Sequence, residues 1–209
     1  PYRLLILAAF LFLLLAMWFL PFKWIERIFG LLGLMMVVFV VAAWKLEPDW
    51  SAVAAGFVPT IPQAGGDKML LYAYYVVALL SAIMLPYETY FYAAGAVEDH
   101  WTPHDIRLNR AIVVIGFALG GLLGASLLVV GKIALGPAQI EAGLPGTAAM
   151  AAAVQLGRGG LWLALAGMFF AFAGAAIETA MSSAYGIAQF FGWPWGKFRP
   201  PREAPRFAL

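Results

Sequence analysis

The feature that most constrains this chain is an apolar run from Met69 to Val97 in which Glu88 is the only charged residue and Pro86 the only proline. At 29 residues it exceeds the roughly 20 that an α-helix needs to cross a hydrocarbon core. Pro86 lacks an N–H and its ring clashes with the carbonyl four residues earlier, so the carbonyl of Ala82 loses its helical partner. In hydrocarbon such a freed group is tolerated only where protein or a water-filled cavity satisfies it. A broken helix with a carboxylate beside the break is one way to build an ion site at mid-membrane. The stretch Ser81–Tyr90 is therefore the centre of the reading, with the helix expected to be broken near 82–88.

Composition agrees with a membrane solvent. Only 11% of the 209 residues are charged and 64% are hydrophobic, whereas soluble domains carry about 25% charged residues. Five apolar runs predict five transmembrane helices in one membrane domain, 1–209: about 4–20, 28–44, 69–97, 111–130 and 160–191. Residues 50–68, with Gly56, Pro59, Pro62, Gly65 and Gly66, read as a loop holding one short helix. The alanine-rich stretch before 158 reads as an interfacial helix. Gly120 and Gly124 form a small-xxx-small pair expected to let another helix approach closely.

Five spans alternate sides. The loops after the first, third and fifth runs hold Lys23, Arg27, Arg107, Arg110, Lys197, Arg199, Arg202 and Arg206. The other side holds Arg3, Lys45, Lys68, Lys132 and Arg158 in longer segments. Basic residues concentrate in short cytoplasmic loops, which places the chain start outside and the chain end in the cytoplasm of a plasma (cell inner) membrane. Because the chain opens on Pro1, enters an apolar run at Leu4 and stops after a basic, proline-rich loop, it is expected to be an interior piece of a longer protein.

Few side chains offer chemistry. Glu88 is a candidate ligand or proton carrier, since a mid-membrane carboxylate must be paired, hydrated or neutralised; the plainer alternative is a structural hydrogen bond to a Tyr or Ser. Glu178 lies among small residues with Thr179, Ser182 and Ser183 nearby, where a proton role and an interhelical hydrogen bond weigh equally. His100 and His104 have zinc-like spacing, but Pro103 argues against a helix there, so they read as loop histidines. With no cysteine, no phosphate loop and no nucleophile–base pair, an enzyme is not expected, nor is any cofactor or nucleic-acid partner.

The central stretch resembles the sixth transmembrane helix of the Nramp family of divalent-metal transporters, whose motif reads A-T-V-M-P-H-N-L-Y. Aligning the prolines puts Ala82 on the alanine, Leu85 on the methionine, Pro86 on the proline, Tyr87 on the histidine, Glu88 on the asparagine and Tyr90 on the tyrosine. Trp44–Pro48 and Pro59–Pro62 resemble the preceding loop, Leu108-Asn109-Arg110 and the glycine-rich span the seventh helix, and Phe172–Phe190 the eighth, where the family has A-G-Q-S-S-T. The resemblance covers essentially the whole chain, as about helices four to eight of an eleven- or twelve-helix protein. Its D-P-G-N first-helix motif has no counterpart here.

The resemblance implies an all-α, polytopic integral membrane protein with a LeuT-like inverted-repeat transporter fold. It implies a secondary transporter of divalent cations working by alternating access. The partners would be the metal ion as substrate, protons as a candidate coupling ion, and the lipid bilayer; no oligomeric state is implied. Ala82, Leu85 and Glu88 would line the metal site, with Pro86, Tyr87 and Glu178 at the helix break and proton path. Two departures bear on selectivity: Leu85 lacks the sulfur that favours manganese and iron, with Met84 a poor substitute one residue away, and Glu88 adds a hard oxygen donor. Magnesium thus stands beside manganese. Two rivals are an amino-acid or organic-solute transporter of the same fold and a non-transporting membrane scaffold or sensor.

Overall fold

The structure, a computed structural model, describes residues 2–58, 60, 67–83, 85–141, 143–199 and 202–208. Among these residues there is no strand. The helices are α1 (Tyr2–Phe19), α2 (Phe22–Gly33), α3 (Val38–Lys45), α4 (Trp50–Ala55), α5 (Asp67–Ile83), α6 (Pro86–Glu98), α7 (Ile106–Ala134), α8 (Pro145–Phe190) and α9 (Pro205–Ala208). A 3-10 turn, Leu34–Val37, joins α2 to α3.

Among the described residues four segments are long and apolar enough to cross a bilayer: Phe22–Lys45, Met69–Glu98, Pro103–Ala134 and Pro145–Phe190. The first of the five expected spans is helical, but its apolar stretch Arg3–Phe19 is shorter than these. At 1.5 Å per residue it extends about 26 Å, just under the roughly 30 Å hydrocarbon core. Three expected spans prove longer. The second begins at Phe22, because Pro21 both ends α1 and leads into α2. The fourth is the 29-residue α7. The last reaches back to Pro145, since the alanine-rich stretch is itself helical and joins the span through Gly157, whose φ of 62° and ψ of −155° interrupt the helix. An L side chain rarely adopts that φ, which is why glycine stands there.

The chain divides into two compact units. The first comprises Pro1–Trp50 and Thr102–Ile177, the second Ser51–Trp101 and Glu178–Leu209. In the first unit the core lies where α3, the end of α7 and the early part of α8 meet. Phe39, Ala42, Val130, Ala149, Ala152 and Ala164 are all sealed there. Phe29 of α2 stacks on Phe12 of α1 and meets Phe170 of α8 edge-on, with centroids 6.4 and 5.5 Å apart. Small residues dominate this core because lipid offers no hydrophobic drive between helices; association comes from close backbone approach and dispersion.

Backbone meets backbone closely at Gly167 rather than at Gly120 and Gly124. A Cβ on either of those two glycines would meet nothing within 4 Å, so the expected small-residue contact on α7 does not form among the described residues. At Gly167 a Cβ would lie 2.7 Å from the backbone nitrogen of Met36 and 3.0 Å from the carbonyl carbon of Met35. The 3-10 turn of α2–α3 thus rests directly on α8. Gly167→Ala is expected to destabilise the protein by about 1–3 kcal/mol, because a backbone neighbour cannot step aside as a side-chain tip can. A thermal unfolding midpoint in detergent equal to that of the wild type would refute this contact.

Candidate metal-transport site

The helix break forms where the proline dictates. α5 ends at Ile83, Leu85 is extended (φ −86°, ψ 121°) and serves as the N-cap of α6, and Pro86 occupies the first turn of α6. Pro is well suited to that position, since its fixed φ is helical and its missing N–H would have no partner there. Upstream, the last four carbonyls of α5 lie beyond its own ladder, and the natural partner of the Ala82 carbonyl, an N–H at position 86, does not exist. The Leu85 carbonyl is engaged by the Glu88 N–H at 3.1 Å, closing the first turn. Met84 lies outside the described residues.

These elements put partial negative charge at the end of α5 and partial positive charge at the start of α6. Glu88 is an acidic residue in the first turn of α6, where the dipole stabilises an anion, and its side chain is exposed. No hydrogen bond or ion pair of that carboxylate occurs among the described residues. The Leu85 side chain is partly buried and carries no donor atom. Among the described residues there is no group of three or more His, Asp or Glu arranged to hold a metal. Among the described residues, the donors at the break are backbone oxygens and one carboxylate, all hard.

The late part of α8 reaches the break from the side. The buried Ser182 hydroxyl donates to the Tyr87 carbonyl at 2.7 Å. Glu178 is one turn earlier on α8 and therefore on the same side of the helix as Ser182, with an exposed side chain. Of the oxygens near Glu178, Ser183 turns inward on its own helix, donating to the Thr179 carbonyl at 2.9 Å. Tyr87, at the position of the family histidine, is thus joined to α8 through its backbone rather than its ring.

Sequence reasoning missed how the polar segment after α6 is used. Glu98 accepts a hydrogen bond from the Tyr185 hydroxyl, and Asp99 pairs with Lys197 of the chain's tail at 3.2 Å. Gly196 has a φ of 138°, and the Glu98 carboxylate occupies the space its Cβ would fill. Helical spacing does mark one face of α6, with Tyr87, Phe91, Ala94 and Glu98 recurring every three or four residues, but nothing in the spacing names the partner. His100 sits in a left-handed turn (φ 52°) and His104 in a 3-10 turn, so the two share no helix face and remain loop residues. That turn is closed by a capping box in which the Thr102 hydroxyl and backbone N–H both donate to Asp105 at 2.8 Å.

Pro86→Ala tests the cause of the break. Restoring an N–H at 86 gives the Ala82 carbonyl its partner, so the helix is expected to propagate through 83–87 and the new amide to exchange slowly with solvent. A rapidly exchanging amide at position 86 would show that the break is imposed by its surroundings and not by the proline.

Comparison with known proteins bears on the whole chain. The sequence profile of the Nramp family, described as natural resistance-associated macrophage protein-like, matches residues 1–201. Among curated relatives, a divalent metal cation transporter MntH of Deinococcus radiodurans is 32% identical over 100 residues, covering 45% of this chain and 22% of its own. A protein of the same name from Agrobacterium fabrum is 30% identical over 135 residues, 60% of this chain and 28% of its own. A third, from Mycobacterium leprae, is 27% identical over 130 residues, 58% and 29% respectively. Each match spans less than a third of the relative's length. No solved structure matches. With a profile match over nearly its whole length and a helix broken at the position of the family motif, the chain belongs to the Nramp family of polytopic membrane transporters.

Proposed function

We propose that residues 1–209 contribute half of the substrate site of a secondary transporter that moves divalent metal cations by alternating access. The observation that carries this reading is the break between Ile83 and Pro86 inside the apolar segment Met69–Glu98, with Glu88 in the first turn beyond it. The curated relatives, named divalent metal cation transporters, support the same substrate class. The Ala82 carbonyl and Glu88 supply oxygen ligands, and the Leu85 position lines the site. Pro86 holds the helix open, and Tyr87 and Glu178 flank the proton path. A carboxylate at the site favours a bound cation when ionised and releases it when protonated, which is how proton and metal movement would be coupled.

The donor set is hard. With leucine where the family methionine supplies sulfur, the described residues at this half of the site offer no donor that prefers manganese or iron over magnesium. The direct experiment uses the protein at its full natural length in proteoliposomes, comparing Mn²⁺ with Mg²⁺ uptake. Saturable uptake is expected, with Glu88→Gln lowering its efficiency at least tenfold, about 1.4 kcal/mol. Leu85→Met is expected to raise Mn²⁺ uptake relative to Mg²⁺ several-fold. Correctly inserted protein that moves neither ion would overturn the metal reading in favour of a solute transporter or a scaffold.

The same reading places the chain start outside and the chain end in the cytoplasm of the plasma membrane. Residues 1–209 hold no cysteine, so with any cysteine elsewhere in the protein replaced, single replacements here can be labelled without background. A cysteine at Glu47 should react with an impermeant maleimide on intact cells, and one at Arg202 only after permeabilisation. The reverse pattern would invert the topology.

A further inference from the structure

In the second unit α6 is cut from α5 at one end and fastened at the other. Its face Tyr87, Phe91, Ala94 and Glu98 falls within about 60° of arc at 100° per residue. Along that face the Tyr87 carbonyl takes a hydrogen bond from Ser182, and Ala94 is buried. The Phe91 ring meets Tyr185 at 6.2 Å, and Glu98 accepts from the Tyr185 hydroxyl. Ser182 and Tyr185 are three residues apart on α8, so a single turn of that helix, about 4.5 Å of rise, grips both ends of a 13-residue helix about 20 Å long. The long reach of the tyrosine makes this geometry work.

Tyr185 is itself immobilised. It is 1% exposed, with its ring enclosed by Phe91, Trp195 and Phe207 at 6.2, 5.7 and 4.9 Å. The tail completes the grip: Gly196 leaves room for the Glu98 carboxylate, and Lys197 pairs with Asp99 at 3.2 Å. Rotation of α6 about its axis is therefore fixed from α8 and the tail, because the helical ladder that would have fixed it from α5 is absent. Glu88 lies 100° around the axis from Tyr87, so whatever sets the rotation of α6 also sets the direction in which Glu88 is presented.

We propose that Tyr185, through Glu98, and Ser182, through the Tyr87 carbonyl, are positioning residues that hold α6 in the orientation presenting Glu88 to the substrate. The consequence for uptake rests on the metal-transport reading above; the clamp itself does not. If only the clamped orientation is competent, loosening it lowers the competent fraction and raises the apparent KM by the inverse of that fraction. A merely structural role would instead reduce the amount of folded protein, lowering Vmax and leaving KM unchanged.

The test uses the protein at its full natural length, with Tyr185→Phe, which keeps the ring packing and removes only the hydroxyl. Hydrogen–deuterium exchange across 86–98 is expected to rise about tenfold, the size expected for losing one hydrogen bond to a charged group, with exchange across 38–45 and 106–134 unchanged. The KM for Mn²⁺ or Mg²⁺, whichever is carried, is expected to rise several-fold at constant Vmax, and Ser182→Ala should move KM the same way. Unchanged exchange in 86–98, or an unchanged KM in a protein that does transport, would overturn the proposal. Should Tyr185→Phe fail to fold, Glu98→Ala removes the same bond from the other side and must give the same two changes. If the wild type carries neither ion, the transport reading falls alone, and exchange still decides the clamp: faster exchange confined to 86–98 upholds it, and unchanged exchange overturns it.

Discussion

One absent hydrogen organises this part of the protein. In water, a proline inside a helix leaves a carbonyl that solvent can satisfy at little cost. In hydrocarbon the same carbonyl has no such recourse, and every polar backbone group must be met by protein, by an ion or by water in a cavity. Pro86 removes the N–H that the Ala82 carbonyl would have used, and the chain responds by ending α5 at Ile83 and starting α6 afresh at Pro86. Two half-helices then point opposite dipole ends at one place, with an acid in the first turn of the second. On the proposed reading the ion site and the hinge are one feature, because the oxygens a cation would use are those the break leaves over.

A hinge is useful only if each half has its own anchor. In the second unit α6 has one in Ser182, Tyr185 and the tail, whereas the described side chains of α5 from Met69 to Ala82 are exposed except Tyr72. The first unit is held quite differently. There Gly167 lets the 3-10 turn at Leu34–Val37 come down onto α8, and the sealed positions around Phe39 and Val130 are mostly alanines. Dispersion over close backbones holds that unit, while hydrogen bonds and ring contacts hold α6.

Legibility in the sequence tracked how local each feature was. The break was readable because its cause, Pro86, and its marker, Glu88, stand out inside a run with no other charge. The long spans were readable by length, although Gly157 was not recognised as the joint that carries α8 back to Pro145. Gly120 and Gly124 have the spacing for a close contact but meet nothing among the described residues, whereas Gly167 meets a neighbouring backbone, because spacing describes one helix and contact needs two. For the same reason Tyr185 and Glu98, separated by 87 positions, went unpaired. Their faces could be inferred from the period of each helix, but which face meets which is a tertiary fact.

On the proposed reading the substrate is a divalent cation, and the donor atoms are where the choice of ion lies. A thioether is polarisable and is preferred by softer transition metals; carboxylate and carbonyl oxygens give magnesium and calcium nothing to avoid. On the proposed reading, the hydrocarbon of Leu85 in place of sulfur removes a reason to favour manganese, while Glu88 adds a carboxylate to a site whose other contribution here is backbone carbonyl oxygen. Magnesium parts with its hydration shell reluctantly and usually keeps several waters. On the proposed reading, a site with one carboxylate and few protein ligands therefore suits an ion that arrives partly hydrated, and Glu88 need only reach a bound water to act on it. That places a premium on where Glu88 points rather than on how closely it approaches, so the grip of Tyr185 on α6 would matter more here than in a site that strips its ion bare.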